Sequence, residues 1–128
     1  MGHELQATCL DCGRIFTVCH GGGFIFHLLR CDKCGKTKSI GFDELGELHL
    51  RYSKGLPEPF GDTDFEHEGG FRKHTSAEPI SKDEYHHGIE AVAGECRCGG
   101  KYTLDSPPRC PKCRSMRLNE GDITVFYD

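Results

Sequence analysis

The distribution of apolar residues predicts short strands near the N-terminus. The runs Arg14–Cys19 and Phe24–Leu29 are rich in Ile, Val and Phe, and the segment His20–Gly23 between them contains three glycines. Because glycine supplies the positive-φ positions of a tight turn, this pattern predicts a β-hairpin over residues 14–29. A third strand is predicted over Thr37–Phe42.

The C-terminal part of the chain has a similar pattern. Strands are predicted over Gly100–Leu104, Ser115–Leu118 and Ile123–Tyr127. In the last of these, Ile, Val and Tyr alternate with other residues, which is the period of a strand with one buried face.

The middle of the chain predicts two helices separated by a long loop. Each helix has a polar capping residue, followed by apolar residues at helical spacing. A glycine in the first helix weakens it by about 1 kcal/mol relative to Ala, whereas the second begins with the capping-box pattern S-x-x-E. Residues 55–78 contain several Gly and Pro and little periodicity, which predicts a loop or a disordered segment. The residues that carry these predictions are Asp43, Leu45, Gly46, Leu48 and Tyr52 for the first helix, and Ser81, Glu84, Tyr85, Ile89, Val92 and Gly94 for the second.

The composition argues that apolar packing alone does not hold this fold together. Leu, Ile, Val and Phe make up about a fifth of the 128 residues, which is close to the composition of disordered chains. The chain also contains 9 cysteines. It opens without the pattern of a secretory signal peptide, so we expect a cytoplasmic protein with reduced thiols. Metal ligation is therefore the favoured role of the cysteines, and an odd number also argues against a complete set of disulfides.

Cysteine and charge divide the chain into three segments. Residues 1–41 contain five cysteines and have a net charge of +2, residues 42–94 contain none and have −7, and residues 95–128 contain four and have +1. We therefore predict an N-terminal zinc ribbon over 1–41, an acidic and partly helical connector over 42–94, and a C-terminal zinc ribbon over 95–128. The expected fold class is a small metal-stabilised α+β protein with short antiparallel hairpins.

The spacing of eight cysteines predicts two metal sites. In the N-terminal segment, two C-x2-C pairs lie 18 residues apart, and the hairpin between them is long enough to return the second pair to the first. In the C-terminal segment, a C-x-C pair and a C-x2-C pair lie 11 residues apart. Four thiolates in a tetrahedron suit Zn²⁺, and such closed sites are structural. The predicted ligands are Cys9, Cys12, Cys31 and Cys34 for the first site, and Cys96, Cys98, Cys110 and Cys113 for the second.

The two modules resemble zinc ribbons, in which two cysteine knuckles at the ends of hairpins hold one zinc ion. The run Cys110–Cys113 (CPKC) resembles the C-P-x-C knuckle of ribbons and rubredoxins, and the C-terminal module also resembles the zinc domain of hydrogenase nickel-insertion proteins. Two features depart from the ribbon pattern: the short Cys96-x-Cys98 gap, and Arg114 where a glycine usually follows the knuckle. The chain starts Met1-Gly2-His3 rather than Met-His, so nickel insertion is not supported.

The metal and the remaining ligand-type residues leave alternatives open. Rubredoxin-like iron is the alternative to zinc, although rubredoxin ligand pairs lie further apart in sequence. Cys19 is left over, and we interpret it as a small packed side chain rather than a reactive thiol or an alternative ligand with His20 or His27. The histidines of the acidic segment are interpreted as part of a solvated surface rather than as a catalytic metal site, since no fixed-spacing signature links them. These are His67, His74, His86 and His87.

The expected function is that of an accessory or scaffold protein which uses two structural zinc sites for protein interaction. Closed four-cysteine sites and the absence of a catalytic motif argue against an enzyme. Nucleic-acid binding is the main alternative, because both ribbons carry clustered Lys and Arg. The net charge of −4 and the acidic middle segment weigh against it. An iron-loaded redox protein is a further alternative.

Overall fold

The computed structural model describes residues 2–23, 25–55 and 77–127 of the chain. Within these residues it contains six strands, which form two antiparallel three-stranded sheets, and three helices. In chain order the elements are β1 (Gly2–Cys9), β2 (Ile15–His20), β3 (Phe26–Cys31), β4 (Thr37–Gly41), α1 (Phe42–Leu45), α2 (Glu47–Lys54), α3 (Lys82–Ala93), β5 (Tyr102–Thr103) and β6 (Leu118–Tyr127).

The first sheet has the order β2-β1-β6 and brings the two ends of the chain together. Strands β1 and β2 form a hairpin in which His3 lies opposite His20 and Thr8 opposite Ile15. Strand β6 pairs with the other edge of β1 along its whole length, with register shifts near Leu5. We call β1, β2 and β6 the first ribbon.

The second sheet has the order β4-β3-β5 and follows the same plan. Strands β3 and β4 form a hairpin, and the short strand β5 pairs with the other edge of β3 through Arg30 and Cys31. We call β3, β4 and β5 the second ribbon. In both ribbons the C-terminal half of the chain supplies the third strand, and this strand pairs with the first strand of the hairpin.

The ribbons are nested in the sequence rather than consecutive. The first hairpin takes the last strand, and the second hairpin takes the strand before it. The prediction of a hairpin over residues 14–29 is therefore wrong, because β2 and β3 lie in different sheets. The partner of β2 is β1, whose inward positions include the small residues Ala7 and Cys9 and so give a weak strand signal. Strand β6 is also continuous where two separate strands were predicted.

The helices agree closely with the predicted pattern. The Ser81 side chain accepts a hydrogen bond from the Glu84 N–H at 3.2 Å, and α3 ends at Gly94, which has φ 74°. Gly46, with φ 53°, divides the first predicted helix into α1 and α2. Two details are wrong. Asp43 does not cap the first helix but lies in the first turn of α1, whose N-cap is Gly41. Val92 is exposed, and Ala93 occupies the buried position at that end of α3.

Two apolar clusters form the interior of the part of the chain that the structure describes, and the larger one contains cysteines. It joins residues of β3, β4 and α3, such as Leu29, Ile40 and Ile89, to the buried Cys31 and Cys96. The smaller cluster lies in the first ribbon and consists of Leu5, Ala7 and Val18, with Phe16 packed against it. The composition predicts a small apolar core, and in the structure cysteines fill part of the interior beside the apolar side chains.

Part of the acidic segment lies outside the described residues. This applies to residues 56–76, and with them to His67, His74 and most of the predicted loop. The boundaries 1–41, 42–94 and 95–128 stay a prediction, although strands from the first and last of these segments share both sheets. No helix among the described residues is long and apolar enough to cross a membrane.

Candidate metal centres

Eight cysteines meet in two groups of four. In each group the four Sγ atoms lie within 4.8 Å of one another. We call the group in the first ribbon the outer cluster and the group in the second ribbon the core cluster. The outer cluster consists of Cys9, Cys12, Cys110 and Cys113, and the core cluster consists of Cys31, Cys34, Cys96 and Cys98.

The predicted grouping of the cysteines is wrong, although each predicted pair stays together. Cys9 and Cys12 do not share a site with Cys31 and Cys34, and Cys96 and Cys98 do not share one with Cys110 and Cys113. Each cluster instead takes one pair from each end of the chain. The physical reason is the sheet topology, since the strand that follows each C-terminal pair is hydrogen-bonded to a strand of an N-terminal hairpin.

Three of the four cysteine pairs lie in turns with the same hydrogen bonds. In each turn, the N–H of the first cysteine donates to the carbonyl five residues later, and its own carbonyl accepts from the N–H four residues later. In the first turn these bonds are Cys9 to Arg14 at 2.8 Å and Gly13 to Cys9 at 2.9 Å. The turns at Cys31 and Cys110 repeat the pattern. The residue four positions after the first cysteine has positive φ in all three, which explains Gly13 and Gly35.

The two departures from the ribbon pattern each have a local explanation. In the Cys96-x-Cys98 turn both hydrogen bonds span one residue fewer, and the positive φ moves to Gly99. The Cys96-x-Cys98 turn therefore has the same pair of hydrogen bonds as the other turns, but is one residue shorter. Arg114 takes the position of Gly13 and Gly35 with φ 64°, and it is the one non-glycine residue with positive φ among the residues described. This position costs an ordinary side chain about 1–2 kcal/mol.

Backbone hydrogen bonds join the two turns of each cluster in the same way. In the outer cluster the Leu10 N–H donates to the Arg117 carbonyl at 2.8 Å, and in the core cluster the Asp32 N–H donates to the Lys101 carbonyl at 2.9 Å. Asp11 adds a side-chain link in the outer cluster, because its carboxylate accepts hydrogen bonds from Arg117 at 2.6 Å and from the Ser115 hydroxyl. In both ribbons, therefore, a backbone hydrogen bond from the N-terminal cysteine turn to the segment after the C-terminal cysteine pair holds the two turns together.

The sulfur positions fit a tetrahedral metal ion. Between the two turns, the closest Sγ–Sγ distances are 3.5 Å in the outer cluster and 3.4 and 3.6 Å in the core cluster. A tetrahedron with metal–sulfur bonds of about 2.3 Å has edges of about 3.8 Å. Each cluster could therefore hold a metal ion with small adjustments of the side chains. Thiolate donors suit zinc, copper(I) and iron, so the donor set by itself leaves the metal open.

Backbone N–H groups favour the ionised form of the first thiol in the turns. In the core cluster, the backbone N–H of Cys98 and then the Tyr102 hydroxyl lower the pKa of Cys96 to about 6. In the outer cluster burial opposes ionisation of Cys110, but the N–H groups of Cys113 and Lys112 outweigh it and lower its pKa to about 6. Such thiols are ready to act as ligands near neutral pH.

Cys34 and Cys113, which follow the first thiol of their turns, are harder to ionise. Burial raises the pKa of Cys34 to about 12. At Cys113 the Ser115 N–H favours the thiolate, but the neighbouring Cys9 thiol and burial together raise the pKa to about 12. A metal ion would have to displace these protons, so binding at neutral pH releases protons and weakens in acid.

The clusters differ in their surroundings. Cys31 and Cys96 belong to the larger apolar cluster, and Cys34 and Cys98 pack against it. Gly100 adds to this tight packing, because a Cβ there would lie 2.5 Å from the Sγ of Cys31. In the outer cluster Cys12 and Cys113 are exposed to solvent.

Cys19 belongs to neither cluster. It is half-buried on β2, and its thiol donates a weak hydrogen bond to the Glu4 carboxylate at 3.7 Å. Burial, and then the charge of Glu4, raise its pKa. A thiol with a raised pKa is a poor nucleophile, which agrees with its interpretation as a packed side chain.

The described histidines do not form a metal site with other ligand residues. The Tyr85 hydroxyl hydrogen-bonds both His27 Nε2 and His49 Nδ1 at 2.8 Å, so β3, α2 and α3 meet at one buried polar group. Burial, and then the nearby His49, lower the pKa of His27 to about 4, which keeps its ring neutral. His49 was not singled out in the sequence, because its burial comes from the packing of α2. His86 and His87 follow Tyr85 on α3.

Comparison with known proteins gives one family. The family of DUF8255, a domain of unknown function, matches residues 5–119, and the chain therefore belongs to it. The matched range contains all eight cysteines of the two clusters. No curated protein and no solved structure matches the chain.

Proposed function

We propose that both clusters are structural Zn²⁺ sites. The observation that carries the proposal is the closure of each cluster: four cysteine sulfurs surround one position, so a tetrahedral ion there has no open place for water or substrate. Zinc bound in this way contributes on the order of 10–16 kcal/mol of apparent folding energy. This contribution compensates for the small apolar clusters of the fold.

Elemental analysis of the purified chain tests the zinc proposal. We expect two zinc ions per chain, no visible absorption, and loss of the folded state when a strong chelator removes the metal. Iron in a four-cysteine site is coloured, so a coloured protein with stoichiometric iron would contradict zinc and favour the redox alternative.

The proposed role is that of an accessory or scaffold protein which binds a partner protein through the surface beside the outer cluster. Three large apolar side chains there are exposed: Leu10 by 58%, Ile15 by 66% and Met116 by 55%. Leu10 and Met116 lie on segments joined by the hydrogen bond between Leu10 and Arg117. We call these three residues the tip patch.

The charges beside the tip patch indicate the chemistry of the partner. Arg14, Lys112 and Arg114 are exposed on the same two turns. An interface that combines apolar anchors with cations fits a partner segment which carries both apolar and acidic side chains. No catalytic step is part of this role, and a cytoplasmic location stays a prediction.

Matched surface variants test the docking role. Leu10→Ser with Ile15→Ser removes two apolar side chains from the tip patch, and Val92→Ser removes an exposed one from α3. We expect cross-linking in cells to recover a partner with the intact chain and the Val92 variant, and not with the double variant. Equal recovery by all three chains, or recovery of no partner by any, would contradict the proposal.

Nucleic-acid binding is the second candidate, because the same exposed cations could contact phosphates. Its test is salt-dependent binding to single- and double-stranded probes. Binding at low salt that weakens with added salt, and that decreases when Arg14 and Lys112 are changed to Gln, would favour it over protein docking. No binding at low salt would exclude it.

A further inference from the structure

A cleft lies between the two ribbons. It consists of two cavities of about 450 and 430 Å³, and both are lined by Cys19, Arg30 and Pro108, so the two are adjacent. Strand β2 of the first ribbon and strand β3 of the second contribute to its walls, together with the segment that leads into the Cys110 turn. Each cavity is within the range typical of small-molecule sites.

The lining of the cleft is cationic in a chain whose net charge is −4. Arg30, Lys36 and Arg109 line the larger cavity, and Arg30 also lines the smaller one. Among the described residues that line the cleft, none is Asp or Glu. A concave site with charges of one sign and apolar walls concentrates the field on an oppositely charged ligand.

The two arginines are held in place by backbone carbonyls. Arg30 donates to the Ser106 carbonyl at 3.2 Å and to the Cys19 carbonyl. Arg109 donates through Nη1 to the Arg114 carbonyl at 3.1 Å, and its Nε is buried with no hydrogen-bond partner in the part of the chain that the structure describes. A buried donor without a partner costs about 1–3 kcal/mol.

The remaining walls are apolar. Phe16, Val18, Pro108 and Pro111 line the larger cavity beside the cations. A ligand that fills it would therefore combine an anionic group with an apolar or aromatic portion. Lys36 and Arg109 favour phosphate as the anion, because a phosphate accepts several charge-assisted hydrogen bonds and carries more charge than a single carboxylate.

We propose that this cleft binds an organic phosphate of nucleotide size, with the phosphate at Lys36 and Arg109 and the apolar portion against Phe16 and Val18. The site does not depend on partner docking at the tip patch. The competing explanation is that the cations only balance the charge of the metal-loaded clusters, since Arg109 precedes Cys110 and Lys36 follows Cys34 by two residues.

Titration of the full chain, purified with its bound metal, tests the proposal. The probes are adenosine 5′-monophosphate, adenosine, inorganic phosphate and a short oligothymidylate, and calorimetry gives each affinity. We expect the mononucleotide to bind more tightly than either adenosine or phosphate alone. Arg109→Gln should weaken its binding by about ten-fold or more, because hydrogen bonds to charged groups contribute that much to affinity.

Lys36→Gln should weaken binding of the mononucleotide by a smaller factor, since Lys36 is exposed. The matched control is Lys82→Gln, which removes the same charge from the exposed start of α3 and should leave binding unchanged. Metal content and thermal unfolding of each variant are measured first, so that loss of binding is separated from loss of the fold.

The probes also separate the sources of the phosphate. Tighter binding of the oligothymidylate, with a steep salt dependence and the same response to the variants, would assign the cleft to the backbone of a single strand. The proposal is overturned if no phosphate probe binds, or if binding is the same in the Arg109, Lys36 and Lys82 variants.

Discussion

The outer and core clusters are built from the same turns and the same hydrogen bonds, yet they occupy different environments. Two cysteines of the core cluster, Cys31 and Cys96, belong to the larger apolar cluster of the described residues, and the other two pack against it. The outer cluster has two exposed cysteines and adjoins a small apolar cluster of three buried residues. The comparison shows that two properties of a cysteine turn have different causes. The backbone geometry of the turn is set by a few neighbouring residues, whereas its importance for the stability of the fold depends on the side chains that pack around it.

The largest expected effect is the loss of bound metal in double Cys→Ser variants, which tests which cysteines share a cluster. Cys12→Ser with Cys113→Ser changes one cluster, so the chain should keep one metal ion. Cys12→Ser with Cys34→Ser changes both clusters, so the chain should lose both ions and unfold. Metal content and circular dichroism measure the two outcomes. If the second pair of changes left one ion and the first removed both, the consecutive arrangement would be correct.

The next largest effect is the difference in stability between a variant of the core cluster and a variant of the outer cluster. Cys31→Ser removes a buried ligand of the core cluster, and we expect loss of the cooperative unfolding transition, because the metal contributes on the order of 10 kcal/mol or more. Cys12→Ser removes an exposed ligand of the outer cluster and should leave the second ribbon and its helices folded. Hydrogen exchange of residues in β3 and α3 measures this difference. Equal loss of protection in both variants would show that the clusters contribute equally.

Acid should release metal from both clusters. Metal binding requires deprotonated thiols, and in the metal-free protein the thiols of lowered pKa, Cys96 and Cys110, have values of about 6. A group whose pKa is lowered in the folded state contributes its full stabilisation above the unfolded-state pKa, here 9.0, and loses it as the pH falls to the folded-state pKa. Stability should therefore decrease as the pH falls from about 9 through about 6, and metal, which competes with protons for the thiolates, should be released at the acid end of this range. Metal retention with unchanged stability over this range would contradict the prediction.

A smaller effect concerns the contact between the ribbons. Gly13 and Gly35 have nearly the same φ, 79° and 77°, in equivalent turns. A Cβ on Gly13 meets open space, whereas a Cβ on Gly35 would lie 2.8 Å from the Cβ of Arg109 in the other ribbon. Gly13→Ala should cost about 1 kcal/mol and Gly35→Ala at least about twice as much. Denaturant unfolding measures both, and equal costs would mean that the contact between the ribbons adapts freely.

The smallest effect should be a gain in stability. Arg114 has φ 64° at the position that Gly13 and Gly35 occupy in the other turns. Arg114→Gly relieves the strain of this conformation, so it should raise the free energy of unfolding by up to about 1 kcal/mol. Lys112→Gly in the same turn is the control and should not stabilise. A loss of stability in Arg114→Gly would indicate that the arginine side chain makes a compensating contact.

Local features of the molecule could be predicted from the sequence, and long-range pairing could not. The eight cysteines and their division into pairs follow from spacing alone, because a turn is set by adjacent residues. The helix between Ser81 and Gly94 was predictable for the same reason. The pairing of Cys9 with Cys113 was not, because loop closure favours neighbours in sequence and no short-range pattern marks a strand partner more than a hundred residues away. Strand β1 was missed because Ala7 and Cys9 are small.

The nested plan also sets an order of events during protein synthesis. The four N-terminal cysteines of the clusters, Cys9, Cys12, Cys31 and Cys34, are synthesised well before the C-terminal cysteines that complete their sites. The core cluster becomes complete once Cys98 has been added, and the outer cluster only after Cys113, a delay of 15 residues, or about one to three seconds at ordinary rates of translation. The ligands of the interior site are therefore complete in the growing chain before those of the surface site, and a chain that ends before Cys110 leaves Cys9 and Cys12 without their two other ligands.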